Sequence, residues 1–446
     1  MRLDQHPTVI NYRAAQAAGQ SPKTSDRLAA EEVKAWALEC GADDVGLVEL
    51  ERPGLAFWRD STLQAFPRTQ TLISMVIGLN SANLSSTNRG LSDREYLRAF
   101  YKADHIGADL ARRLNKVGVP SLYYPAGFPM NLETWPENMW QVSHKPVAEE
   151  AGLGKMGLHR LLIHPKLGSH VILSTVLASA PADVYDQPLD YNPCIDCKLC
   201  AAVCPVGAIK NHEPFSFVNC LTHNYRDRMG GFLRWTQALT DSKDYREYRS
   251  RVSDGETVSM WQSLSYGICN KSSYCMASCP AGEVNIGPYL EDRKAYKETW
   301  VRPFRDRRET IFVVPDSDAE EHVAKRFPHK SIKRVSHGLR AASAQGFLNA
   351  LPLLFQPGQA EELSARYHFS FTGADEAKGT VIIDRGKLEV KPGLQGEADL
   401  ALTADSKAWL DFLAKERGLL SCILGGKLRI KGSPKLMKAF AACFPS

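Results

Sequence analysis

No stretch of this 446-residue chain is apolar for long enough to cross a membrane. The longest apolar runs, Thr71–Leu79 and Val171–Ala180, are only strand-length. The first twenty residues are polar and lack both the apolar core and the paired arginines of an export signal. The chain is therefore expected in the cytoplasm, with no membrane span. Charge of one sign is also scarce: the net charge is +5, and basic residues are interleaved with acidic ones rather than run together. That pattern argues against a nucleic-acid partner and leaves docking on an acidic flavodoxin-like protein open. No internal repeat is evident. With 44% apolar and 24% charged residues the composition is that of a globular protein, and the length calls for two or three domains.

What the chain does have is cysteine, 11 in all. In a reducing compartment these are not expected to form structural disulfides. Eight fall between Cys194 and Cys279, whereas Cys40, Cys422 and Cys443 stand apart in apolar helical settings that suit small buried hydrophobes. Cys194-Ile-Asp-Cys197-Lys-Leu-Cys200-Ala-Ala-Val-Cys204-Pro205 has the C-x2-C-x2-C-x3-C-P spacing of a two-cluster ferredoxin. Three thiolates converge from a tight turn, and the fourth is carried into a following helix and directed to a second cluster. Pro205 is expected to set the backbone as that helix begins. A zinc site would use paired CxxC or Cys and His instead. Cys269-x5-Cys275-x3-Cys279-Pro280 repeats only the C-x3-C-P ending, and Cys220 lies alone between the halves. By the crossed connectivity of such modules, Cys194, Cys197, Cys200 and Cys279 would hold one [4Fe-4S] cluster. Cys204, Cys220, Cys269 and Cys275 would hold the other.

Composition divides the chain into an N-terminal arm (1–27), an alternating helix and strand region (28–190), the cysteine module (191–290), a charged connector (291–335) and a second α/β unit (336–446). In the first region Ala29–Cys40 and Tyr96–Val117 have helical spacing, while Asp44–Leu50, Thr71–Leu79 and Val171–Ala178 look like buried strands. The cysteine module, punctuated by Pro and Gly, is expected to be held by metal rather than by core. The connector is expected to pack partly on its neighbours, and within it only Thr310–Val314 is strand-like. In the last region helices are expected at Leu339–Phe355 and Ser406–Lys415, with strands at Arg366–Thr372, Gly379–Ile383, Lys387–Val390 and Ala398–Thr403. A final strand over Gly426–Gly432 and a terminal helix complete it. The predicted fold class is α/β (α+β).

The cysteine run resembles that of the cobalamin-dependent epoxyqueuosine reductases and the related reductive dehalogenases. So do Phe217-Val-Asn-Cys220-Leu-Thr-His-Asn-Tyr225, Ala151-Gly-Leu-Gly-Lys-Met-Gly157 and Leu161-Leu-Ile-His-Pro-Lys-Leu-Gly168. Weaker similarity at Cys40-Gly-Ala-Asp-Asp-Val-Gly46 and Phe66-Pro67 extends it over residues 28–290. The resemblance implies a nitroreductase-like domain holding base-off cobalamin, with electrons passing through both clusters to cobalt and Co(I) driving a reductive elimination or substitution. It also implies a reduced ferredoxin or flavodoxin-type donor. Gly152, Gly154 and Gly157 would let backbone lie close to the flat cofactor, or else form a glycine-rich turn before a strand. A dinucleotide fold is not implied, because a strand rather than a helix follows.

Where the epoxyqueuosine enzymes carry an acidic residue, this chain has Gln141-Val-Ser-His-Lys-Pro146, which argues against epoxyqueuosine as substrate. Dehalogenases use a Tyr supported by a cation, a part open to Tyr101 with His144 or Lys145. Tyr101 could equally be a core aromatic, and His144 a hydrogen-bonded structural residue. Tyr123-Tyr-Pro-Ala-Gly-Phe128-Pro with Trp135 and Trp140 could line a pocket for an apolar substrate or simply pack on itself. Asp384-Arg-Gly386, Gly396-Glu-Ala-Asp399 and Gly426-Lys-Leu-Arg-Ile-Lys-Gly432 resemble the sterol carrier protein type 2 fold. That likeness implies an apolar tunnel for a lipid-like molecule. Two functions follow: a cobalamin- and iron–sulfur-dependent reductase, or a corrinoid-free electron carrier with a lipid-binding or interaction domain.

Overall fold

The computed structural model describes residues 2–19, 26–127, 130, 131, 133, 135–137, 139–210, 214–267 and 270–446. In the arm, Pro7–Ala17 is a helix that buries none of its residues. Strands β1 (Asp44–Glu49), β2 (Thr71–Gly78) and β3 (Ser121–Tyr124) come next. A short hairpin, β4 (Lys155–Met156) with β5 (Leu162–Ile163), precedes β6 (Val171–Ala178). One sheet runs β1-β2-β6-β3 and is antiparallel at every pairing. Both faces are covered. Ile73, Met75, Ile77 and Val176 meet the Ala30–Glu39 and Arg89–Lys116 helices, whereas Leu72, Val76, Leu173 and Leu177 meet Leu55, Val147 and Leu153. Double burial is why β2 and β6 read as continuous apolar runs without alternation.

The Arg89–Lys116 helix starts two turns before the expected Tyr96. Asn88 accepts a hydrogen bond from Gly90 N–H at its N-terminus, and Arg89, Asp93 and Glu95 are buried polar residues. Buried charges hide a helix face from a search for apolar periodicity.

Three expectations for the middle of the chain need correction. The helix of the first cysteine motif, Leu199–Val203, ends at Cys204 instead of following it, with Cys204 extended at φ −65°, ψ 111°. Pro205 forces its predecessor out of the helical region, so it stops that helix and starts none. Residues 224–267 are not short metal-held pieces but carry the helices Gly230–Thr240, Tyr245–Arg251 and Asp254–Tyr266. The connector is a folded unit: β7 (Thr310–Val313) pairs in parallel with β8 (Ser331–Arg334), and the Asp318–Arg326 helix joins them. Ile311, Val313, Val323 and Phe327 then pack directly against Cys200 and Cys204. Tyr289, Tyr296, Val301 and Phe304 do the same for Leu199 and Val203. Core as well as cysteine chemistry holds this region.

After the Ala344–Leu354 helix come β9 (Ser364–Thr372), β10 (Ala377–Asp384), β11 (Lys387–Pro392), β12 (Leu400–Asp405) and β13 (Leu428–Gly432). Their order is β11-β10-β9-β12-β13, with β9 and β12 parallel and the other pairs antiparallel. One sheet face packs on the Ala344–Leu354, Ser406–Leu413 and Pro434–Cys443 helices. Phe347, Phe369, Phe371, Trp409, Phe440 and Phe444 form an aromatic cluster between sheet and helices, with ring centroids 4.6–6.2 Å apart. Cys422 and Cys443 are buried in this layer as expected, and Cys40 caps its helix half-buried.

Candidate metal and cofactor site

Asp196 and Lys198 adopt left-handed φ of 52° and 55°, so the chain winds tightly between Cys194 and Cys200. That turn collects three thiols, and Cys279 joins them from the other end of the region. Burial raises the pKa of Cys197, Cys200 and Cys279, the last to about 11, and their mutual proximity with Cys194 adds to each rise. Cys204, Cys220 and Cys275 form a second group. Burial raises all three, Cys275 to about 12, and Cys204 is a charge neighbour of both others. Cys269 lies outside the described residues. The groups adjoin, since Cys275 neighbours both Cys200 and Cys279. Among the described residues no three His, Cys, Asp or Glu side chains stand close enough to grip one ion, as a mononuclear zinc site requires. A multi-iron cluster takes its thiolates from the corners of a larger body, and a buried, otherwise protonated thiol set fits that donor requirement.

Several backbone and side-chain contacts orient these thiols, and spacing alone did not reveal them. Leu158 N–H donates to Cys194 Sγ at 3.3 Å. Asn224 Oδ1 accepts from Ser272 N–H at 3.0 Å and Ser273 N–H at 2.9 Å, pinning the turn that leads into Cys275. Asn224 belongs to the stretch around Cys220 that carried the resemblance, which was the available signal. The Cys275 loop is tied to the N-terminal layer by Tyr96 Oη to Met276 Sδ (2.7 Å) and His170 Nε2–H to Met276 O (3.0 Å). A further tie runs from Glu283 N–H to Lys166 O (2.8 Å).

The residues expected to handle protons were Tyr101, His144 and Lys145, and each has its own surroundings. His144 is a locked structural histidine: Nε2–H donates to Pro125 O at 2.9 Å and Nδ1 accepts from the Thr175 hydroxyl at 2.8 Å. Burial lowers its pKa. Lys145 donates to Arg160 O at 2.8 Å. Burial pulls its pKa down and Arg160 adds to this, while Cys220 and Cys275, close enough to oppose them, push it up. Tyr101 is 58% exposed on the Arg89–Lys116 helix and bonds to neither. It is not the core aromatic of the alternative reading either. The tyrosine ring beside His144 belongs to Tyr124, 5.9 Å away.

Of the two readings of the glycines, the turn before a strand is the one their surroundings fit. A Cβ on Gly152 would meet Gln187 O at 2.5 Å, on Gly154 Ile163 O at 2.4 Å, and on Gly157 Ile163 Cδ1 at 2.6 Å. Gly152 and Gly154 also have φ of 73° and 154°. At Gly152 and Gly154, where the contacts are backbone carbonyls, glycine is required by the chain's own close packing, whether or not a cofactor lies nearby. The cleft beside Gly152, roughly 490 Å³, is lined by Glu31, Lys34, Asp44 and Asp186 and by no cysteine. One observation does suit a large polar cofactor: His159 Nε2 is buried without a partner between Lys145 and His170, and burial pushes its pKa down to about 4. Within the aromatic stretch Trp140 Nε1–H donates to Gly127 O at 2.8 Å, Trp135 is buried and Tyr124 packs against the sheet; Phe128 lies outside the described residues.

Residues 348–445 match the SCP-2 sterol transfer family, and residues 188–210 match the 4Fe-4S binding domain. Among curated proteins, epoxyqueuosine reductase of Salmonella typhimurium is 28% identical over 216 residues, covering 42% of this chain and 53% of the relative. That of Escherichia coli is 27% identical over 216 residues, covering 42% and 54%. The chain thus spans about half the length of these relatives. Among solved structures, the catabolic reductive dehalogenase NpRdhA has TM-score 0.38 at 18% identity, covering 61% of this chain and 34% of that one. An epoxyqueuosine reductase solved with a tRNA stem loop has TM-score 0.31 at 16% identity, covering 45% and 57%. The tRNA stem loop belongs to that neighbour's structure. A small, interleaved net charge does not exclude an RNA partner, because a local cluster of cations suffices for phosphate contact. Among the described residues no helix is long and apolar enough to cross a membrane.

Proposed function

We propose that the chain is an iron–sulfur reductase that works with a corrinoid on an apolar organic substrate. The observation that carries this is the pair of adjoining buried thiol groups, the second of which faces Lys145 of the N-terminal layer. In this reading Cys194, Cys197, Cys200 and Cys279 hold one [4Fe-4S] cluster, and Cys204, Cys220, Cys269 and Cys275 the other. Residues 28–190 hold the corrinoid, residues 191–290 the clusters, and residues 336–446 form a separate unit for a lipid-like molecule. The clusters, when bound, supply one-electron transfer, and the corrinoid supplies low-valent cobalt chemistry. Lys145 keeps a cation beside the reacting centre, His144 holds Pro125 and Thr175 in place, and His159 offers a ring nitrogen to a cofactor side chain. A reduced ferredoxin or flavodoxin-type protein is the donor.

A corrinoid-free electron carrier is the second reading, favoured by glycines whose missing side chains all face protein. Anaerobically purified protein, reduced with added cobalamin, separates the two. The reductase reading expects reduced-cobalt bands and corrinoid retained on gel filtration. An unchanged cobalamin spectrum with no retention leaves the carrier.

A further inference from the structure

A second cleft, roughly 560 Å³, lies between the helices Gly230–Thr240 and Asp254–Tyr266 on one side and β7 and β8 on the other. It is large enough for a small organic molecule, and no cysteine lines it. Six charged residues do. Arg226, Arg234, Lys271 and Lys333 face Asp227 and Glu256, four cations against two carboxylates and so a surplus of two.

Both carboxylates are already engaged. Asp227 accepts from Lys271 at 2.9 Å and from the Ser263 hydroxyl at 2.7 Å. Glu256 Oε2 accepts from Lys333 and from Ser253 N–H. The surplus therefore falls on the two arginines. Arg226 is only 8% exposed, and its guanidinium lies 4.2 Å from the centre of the Phe312 ring. Among the described residues its one ion pair is with Glu256 Oε1 at 3.6 Å, too long for a hydrogen bond, and that oxygen is buried with no hydrogen-bond partner. Arg234, half-buried, donates to Arg334 O at 3.3 Å and pairs with no carboxylate among the described residues. Burial lowers the pKa of both arginines; Glu256 opposes this, and at Arg226 the nearby Arg234 adds to it. Two covered guanidiniums that share one carboxylate, hydrogen-bonded to neither, leave positive charge for an anion to neutralise.

We infer that this cleft binds the phosphate of a small phosphorylated molecule, held by Arg226 and Arg234 with Lys271 and Lys333 alongside. A phosphate dianion matches the surplus of two charges, and its oxygens suit the guanidinium fork. A carboxylate would leave one charge over. Trp235 and Phe312 line the same cleft and offer an aromatic wall to the rest of the molecule. An RNA strand is a poorer occupant, because it presents phosphates in a row, whereas these cations converge on one cleft. The inference does not rest on the reductase reading, since it uses neither the thiols nor a corrinoid.

Isothermal titration calorimetry of the full chain, purified anaerobically with its iron, tests it. The probes are phenyl phosphate, benzoate and an RNA stem loop, all at one ionic strength. Phenyl phosphate is expected to fill one site per chain, about tenfold or more tighter than benzoate. Arg234→Gln should weaken it by about tenfold or more, and so should Arg226→Gln. The Arg226 variant is read only where its melting curve is unchanged; the half-buried Arg234 keeps the test decisive if it is not. Absence of saturable phenyl phosphate binding overturns the proposal, as does binding that Arg234→Gln leaves intact. Equal affinity for benzoate overturns it too. Stem-loop binding that Arg234→Gln abolishes, without phenyl phosphate binding, assigns the cleft to RNA and overturns it as well.

Discussion

Cys197 is grouped with Cys194, Cys200 and Cys279, at a point where a serine would test the proposed division directly. Cys197→Ser is expected to remove about four irons per chain if both clusters are cubanes, measured by iron assay and by loss of one of two electron paramagnetic resonance signals on reduction. Retention of all iron would break the assignment. A second residue-scale test concerns acid stability. The hydrogen bond from His164 Nε2–H to Asp44 Oδ2, 2.9 Å long, holds the Asp44 carboxyl below its ordinary value against the opposing effect of burial. With the folded pKa below the unfolded one, this carboxylate stabilises above the unfolded value, about pH 4, and the contribution is lost as pH falls through the folded value. Asp44→Asn should therefore lower stability near neutrality and flatten its loss at acid pH in denaturant titrations. An unchanged acid limb would show that the pair contributes nothing.

At the scale of elements, the unit β7–Asp318–Arg326–β8 supports the cysteines from behind. Phe327 is fully buried between its helix and Cys200 and Cys204. Phe327→Ala should cost about 3–5 kcal/mol and reduce iron retained after purification, although the residue binds no metal. Normal iron with an unchanged melting temperature would return residues 291–335 to the status of a linker. Only Thr310–Val314 of this unit was legible beforehand. The Asp318–Arg326 helix is mostly charged, and Ser331–Arg334 is too short and polar to declare itself. The helices of residues 224–267 were hidden for a related reason: much of their apolar surface, including Leu233, Trp261 and Leu264, is exposed, so no regular inward stripe forms.

Across the whole molecule, the C-terminal layer rests on the cysteine-bearing half through an approach that leaves no room for a side chain. A Cβ on Gly230 would lie 2.1 Å from His337 O. Gly230→Ala should lower stability by about 1–3 kcal/mol and open the junction near residue 338 to limited proteolysis. Unaltered cleavage kinetics would show that the two parts do not depend on each other there.

Sequence alone determined the clustering of eight cysteines between Cys194 and Cys279, the doubly buried strands β1, β2 and β6, and nearly every element after residue 343. These are local or periodic features, and local features survive in a one-dimensional text. The tertiary structure decided what depends on distant partners. It left Tyr101 exposed on the Arg89–Lys116 helix while giving His144 and Lys145 their own partners, since which face of a helix is covered is not written in spacing. It gave Gly152, Gly154 and Gly157 to the packing of Gln187 and Ile163 rather than to open space. It brought aromatic rings from both the sheet and the helices of the C-terminal layer into one cluster. It also left Leu420 and Leu424 bare, since which face of a six-residue helix is covered depends on what the rest of the chain places against it.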